Sequence, residues 1–137
     1  MYQPPEPPGE PEGSLVDRPP QIHVAEYFTV DTLGQAFSFM RRSMNVYKAA
    51  RAAEGFVTGG IRAKWWAKKF WSYIIWDDRE SMERFTKSFP MEAGMERWRR
   101  AAGPGSRCVE WTSDMPPDWP EALDRLERPT RYCVPPL

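Results

Sequence analysis

The chain has 137 residues, 41% of them hydrophobic and 14% aromatic, enough for one domain with a modest core. Its 19 basic and 19 acidic residues cancel, so no overall field draws it to nucleic acid or an anionic membrane, and neither is expected as a partner. No apolar stretch approaches the ~20 residues of a membrane helix, and Met1-Tyr-Gln-Pro-Pro lacks the basic and apolar regions of a signal peptide, so a cytoplasmic location is expected.

The 15 prolines crowd into the two ends, with only Pro90 and Pro104 between Pro20 and Pro116. Residues 1–20 cannot bury enough apolar surface to fold and read as an extended arm. Residues 21–113 read as the folded domain, and residues 114–137 as a C-terminal arm with one short helix.

Gln21 to Val30 is rich in β-branched and aromatic residues, with Ile22, Val24, Phe28 and Val30 on one face and His23, Ala25 and Tyr27 on the other. It is expected to be a strand. Thr32 and Gln35 form a capping-box pattern that starts a helix. In that helix Phe37, Met40, Met44 and Tyr47 recur at helical spacing, flanked by Phe39, Ser43, Val46, Ala50 and Ala53. Glu54-Gly55 should end it, since glycine suits the left-handed position after a helix.

Phe56 to Ala63 reads as a second strand, with a bulge or a close approach at Gly59-Gly60. Lys68 to Trp76 reads as a third. There Phe70, Ser72, Ile74 and Trp76 alternate with Trp71, Tyr73 and Ile75, so both faces should be buried. Asp77-Asp78 starts a second helix with Met82, Phe85 and Phe89 on its apolar stripe, and a further helical stretch runs from Met91 to Arg100. Ser106 to Ser113 is the last strand. Asp118 then caps a short helix with Pro120 in its first turn.

The order is β-α-β-β-α-β, which predicts an α+β, ferredoxin-like domain: a four-stranded antiparallel sheet with two helices on one face. The other face, carrying one row of the third strand, needs a cover, and a second copy of the same sheet would supply it. A homodimer is therefore expected.

Cys108 and Cys133 are too few and too distant for a metal or disulfide framework and read as free thiols. No metal site is expected. His23 is the only histidine and the only side chain whose ordinary pKa suits acid/base work near neutrality. No nucleophile elbow, phosphate loop or dinucleotide fingerprint competes with it. Seven tryptophans favour a pocket between sheet and helices for a flat apolar ligand. The candidate substrate-binding residues are Tyr27, Phe39, Met40, Met44, Trp65, Trp71, Ser72, Trp76 and Phe85.

Glu54-Gly-Phe56-Val with Gly59-Gly60, then Phe70-Trp-Ser72-Tyr-Ile-Ile-Trp76-Asp-Asp and Ser81-Met-Glu-Arg-Phe85, resembles the dimeric α/β-barrel superfamily around the antibiotic-biosynthesis monooxygenases. Within it the chain resembles a branch that includes spheroidene-monooxygenase-like proteins. The resemblance covers about residues 21–113. It implies a small tailoring enzyme of secondary metabolism acting on a flat aromatic, polycyclic or polyene substrate. Members include cofactor-independent oxygenases, in which the substrate, as an enolate or phenolate, passes an electron to dioxygen. On that pattern no cofactor is needed: His23 would be the catalytic base, and Tyr47 or Tyr73 would orient a substrate oxygen. Many relatives carry a histidine where this chain has Phe89-Pro90-Met91, which leaves His23 as the one candidate ligand if haem were bound. A cyclase or isomerase on the same scaffold, or a non-catalytic ligand-binding dimer, are the alternatives.

Overall fold

A computed structural model describes residues 20–88, 102–133 and 136. The proline-rich segment before Pro20 and the expected helix from Met91 to Arg100 lie outside the described residues.

The elements follow in the order β1 (Gln21–Thr29), α1 (Leu33–Arg51), β2 (Phe56–Lys64), a 3-10 turn (Trp65–Ala67), β3 (Lys69–Trp76), α2 (Arg79–Thr86), β4 (Arg107–Ser113), α3 (Trp119–Arg125) and β5 (Arg131–Tyr132). The strands form one antiparallel sheet in the order β2-β3-β1-β4-β5. Five strands replace the four expected. The extra one exists because Thr130 and Cys133 donate backbone hydrogen bonds to the carbonyls of Cys108 and Ser106, tying the C-terminal arm to the edge of β4.

Local chemistry sets the boundaries. Thr32 accepts from the Gln35 N–H while the Gln35 side chain accepts from the Thr32 N–H, so two orphan donors of α1 are satisfied reciprocally. Asp78 caps α2 by accepting from the Ser81 N–H at 2.7 Å, and Asp118 caps α3 through the Glu121 N–H. Helix α1 stops at Arg51, three residues before Glu54, and the chain turns through Gly55 at φ +91°. The irregularity in β2 lies between Phe56 and Thr58 rather than at the paired glycines. Those glycines serve close approach instead: a Cβ on Gly59 would stand 2.7 Å from the Tyr73 carbonyl, and the Trp119 ring lies over Gly60.

The period of two along the strands sorts the side chains onto two faces. Ile22, Val24, Phe28, Phe70, Ile74 and Trp76 face α1 and α2, where they meet Phe39, Ala50, Met82 and Phe85. The buried side of α1 is centred on Ala36, Phe39 and Ala50; Phe37, expected on the apolar stripe, is 71% exposed and rests on Trp65. Ala25, Tyr73, Ile75, Val109 and Trp111 occupy the other face.

That second face carries a cover of its own. Helix α3 lays Ala122 and Leu126 on the cluster, with Trp119 and Leu123 packed at its edge. The burial that the sequence assigned to a partner sheet is thus provided, over Tyr73, Ile75 and Trp111, by the C-terminal arm of the same chain.

Candidate functional site

Between the sheet and the helices α1 and α2 lies a cavity of about 330 Å3, at the low end of the usual range for small-molecule sites. Among the described residues, Phe28, Phe39, Val46, Ile61, Phe70, Ile74, Trp76 and Phe85 give it apolar and aromatic walls. Such walls suit a flat, poorly hydrated ligand.

One row of side chains breaks the apolar lining. Glu26 stands directly opposite Ser72 on β3 and Cys108 on β4, and Cys108 stands opposite Arg131 on β5. All four border the cavity. Ser72 Oγ donates to Glu26 Oε1 at 3.1 Å. Glu26 is walled in by protein and open to the cavity; burial raises its pKa, while the Ser72 hydrogen bond and the Arg131 charge act against that rise. Burial also pushes the Cys108 thiol up to about 12, with Glu26 adding to the effect, so the thiol stays protonated and is no nucleophile.

Sequence reasoning missed Glu26. Its signal was present: in Ile22, Val24, Glu26 and Phe28 the alternate positions of β1 hold three apolar residues and one carboxylate. A charge in the phase of an apolar row is costly unless it has a partner or a use.

The three candidate catalytic residues do not come together. Tyr47 borders the cavity, but its hydroxyl donates to the Gly59 carbonyl at 2.6 Å. His23 and Tyr73 occupy odd positions of β1 and β3 and point to the opposite face, beneath α3. There Tyr73 Oη lies 2.8 Å from His23 Nδ1 and accepts from the Asp118 N–H at 3.3 Å. These contacts fit a neutral imidazole whose Nδ1 accepts from the phenol. His23 Nε2 is buried with no close hydrogen bond among the described residues beyond a weak approach to the Ser113 backbone, and the imidazole lies against Trp111, ring centroids 5.2 Å apart. Burial lowers the His23 pKa; the backbone of Ser113 and the Glu121 charge oppose this only in part. His23 is 1% exposed in this position.

Of the candidate substrate-binding residues, Phe39, Ser72, Trp76 and Phe85 border the cavity together. Trp71 touches its rim, but its ring packs on Tyr27 on the α3 side, centroids 5.5 Å apart, and Tyr27 lies there too. Met40 packs into the core near Phe39. Met44, 42% exposed, and Trp65, 48% exposed, face outward, because α1 turns its Phe39 side to the sheet and Trp65 sits in the turn before β3.

No protein-family model and no curated protein matches the chain. Solved structures do. SnoaB, a cofactor-independent oxygenase from Streptomyces nogalater, superposes with a TM-score of 0.54 at 15% identity over 71% of this chain and 96% of its own. A Nitrosomonas europaea protein described as a candidate antibiotic biosynthesis monooxygenase gives 0.63 at 11% identity over 73% and 96%. A conserved protein from Methanosarcina mazei Go1 gives 0.61 at 13% over 69% and 93%. At these identities the likeness is one of fold: the chain shares the ferredoxin-like α+β fold of these structures.

Proposed function

We propose that the chain is a small tailoring enzyme, a cofactor-independent monooxygenase that oxidises a flat aromatic or polycyclic substrate in the cavity between sheet and helices. The observation that carries this reading is the Glu26–Ser72 pair set into an otherwise apolar, aromatic cavity. SnoaB's description as a cofactor-independent oxygenase supports it.

Glu26 takes the catalytic place expected of His23. A carboxylate whose pKa is raised by its surroundings is a better base toward a weakly acidic hydroxyl or ring methylene. It removes the proton, and the substrate anion passes an electron to dioxygen. Recombination gives a hydroperoxide, to which Glu26 returns the proton. Loss of water then leaves a carbonyl, one oxygen atom ending in the product and the other in the water. The aromatic walls hold the ring system and keep water from the carbanion.

Homodimerisation is retained in this proposal, with the contact moved to the part of the sheet face around Tyr27 and Trp71 that α3 leaves half-buried. Sedimentation velocity at micromolar concentration measures it.

The test of function is oxygen consumption with an anthrone as substrate, for the wild type and for Glu26→Gln. Stoichiometric uptake of one dioxygen per quinone formed, lost in the variant, is expected. Product without oxygen uptake would instead identify an isomerase or cyclase, and binding without turnover a ligand-binding protein.

A further inference from the structure

We propose that Arg131 is the specificity residue of this cavity and receives a carboxylate on the substrate, while Glu26 meets the reacting hydroxyl or methylene. The proposal rests on the cavity being the substrate site, and it narrows the substrate class to flat aromatic acids.

Placement comes first. The register Glu26↔Cys108↔Arg131 sets Arg131 two strands from Glu26 on the same face, about 10 Å away at the strand spacing of a sheet. Between them stands a thiol that stays uncharged. A ligand lying across β1, β4 and β5 would therefore meet a carboxylate at its inner end, a neutral step, and a guanidinium at its outer end.

Arg131 is held in that place. Its neighbours fix the backbone through Thr130 N–H to the Cys108 carbonyl at 2.9 Å and Cys133 N–H to the Ser106 carbonyl at 2.8 Å, and Thr130 Oγ1 accepts from the Glu110 N–H. Its charge reaches into the site, where it opposes the burial-driven rise in the pKa values of both Glu26 and Cys108. Among the described residues it forms no ion pair, whereas Arg79, the other cation that those residues bring to the cavity, is engaged by Glu110 at 3.2 Å.

The chemistry favours a carboxylate. A guanidinium presents a planar fork that matches one carboxylate in a bidentate way. A phosphate dianion would call for a second free cation, and Arg79 is already paired. An acidic group at the mouth also keeps its charge away from Glu26, which must itself lose a proton to work as a base.

The test is a binding titration read by the fluorescence of Trp76 and the other tryptophans, using anthraquinone carboxylic acid and its uncharged hydroxymethyl analogue. Wild type should bind the acid at least about tenfold more tightly than the alcohol. Arg131→Gln should abolish that preference by weakening the acid alone, and Arg131→Lys should keep part of it. Equal binding of the two ligands by wild type, or an equal loss of both in Arg131→Gln, would overturn the proposal. Because Arg131 is exposed, an unchanged thermal melt is expected for both variants. Binding of the acid through Arg131, with no oxygen uptake from the corresponding anthrone carboxylic acid, would sink the oxygenase reading and leave this one standing.

Discussion

Glu26 and Ser72 face each other across the β1–β3 ladder, joined by a 3.1 Å hydrogen bond in which the serine donates. The pair sets the proton affinity of the cavity. Burial raises the carboxyl pKa and the serine pulls it back, so Ser72→Ala should let it rise further. The acid-side inflection of kcat/KM with an anthrone should then move to higher pH. An inflection that stays in place would show that the titrating base is some other group.

Glu26→Gln should slow oxygen uptake by roughly 10²–10⁴-fold, the usual contribution of a placed base, while making the protein more stable at neutral pH. The sign follows from the raised pKa. Below the ordinary carboxyl value of 4.5 both folded and unfolded chains carry the proton and no penalty exists. As pH rises above that value, the unfolded chain ionises first and stability is lost. The amide avoids that loss, by roughly 0.5–2 kcal/mol, the usual scale for relieving a functional group of its structural cost. Chemical denaturation at pH 7 and pH 4 measures it: the difference should appear at the higher pH and shrink at the lower.

Tyr73 links sheet to arm, since its hydroxyl contacts His23 Nδ1 and takes the N–H of the α3 cap residue Asp118. Tyr73→Phe leaves the buried His23 Nδ1 without that partner and frees the Asp118 N–H, and should cost about 1–3 kcal/mol. Turnover by the folded fraction should be unchanged, because the pair lies across the sheet from the cavity. A drop in kcat at full folding would return Tyr73 to the chemistry.

The protonation of His23 has its own signature. Burial lowers its pKa in the folded state from the usual 6.5, so the unfolded chain binds the proton first as pH falls. Stability from this group is whole above about pH 6.5 and declines as the pH drops toward the folded value. Urea melts from pH 8 to pH 5 should show a decline in wild type that is flattened in His23→Phe. A decline of the same size in the variant would assign it to other groups.

The fold was largely legible because its signals are local. Capping pairs such as Thr32 with Gln35, alternation in β3, and Asp118 before Pro120 are written within a few residues of where they act. The site was less so. Whether His23 or Glu26 faces the cavity depends on which phase of β1 meets the helices, and periodicity gives two phases without naming the inner one. The apolar row through Ile22, Val24 and Phe28 in fact marked that phase, with Glu26 inside it. The function of the C-terminal arm was hidden for a different reason. Trp119 and Leu126 announce that they need cover, but only the fold shows that they themselves cover Tyr73 and Trp111. Strand β5 is two residues long, too short for any periodic pattern.

Gly55 joins α1 to β2 at φ +91°, and a Cβ there would stand 2.2 Å from Ser81 Cβ at the start of α2. Ser81 is buried and its backbone N–H is held by the Asp78 cap, so it cannot give way. Gly55→Ala combines a left-handed backbone, at about 1–2 kcal/mol, with overpacking at about 1–3 kcal/mol. A fall in Tm of several degrees is expected, and Ser81→Gly in the same chain should recover the packing part but not the backbone part.

Leu126 tests whether α3 is a structural cover or a loose appendage. It is 2% exposed on the cluster of Ala25, Tyr73, Ile75, Val109 and Trp111, and its carbonyl accepts from Arg107 Nε at 2.7 Å. Truncation to alanine keeps that hydrogen bond and removes only the packed side chain. For a buried leucine in a core that cannot fully collapse, the cost is about 2–5 kcal/mol. The aromatic row beneath would also lose part of its shield. Leu126→Ala should therefore lower the midpoint of denaturation and increase dye binding to exposed apolar surface before global unfolding, while ligand binding in the cavity on the opposite face persists in the folded fraction. A cost below about 0.5 kcal/mol, the range of an ordinary surface change, would mean that α3 does not hold the sheet face closed and that a second copy is needed to bury it.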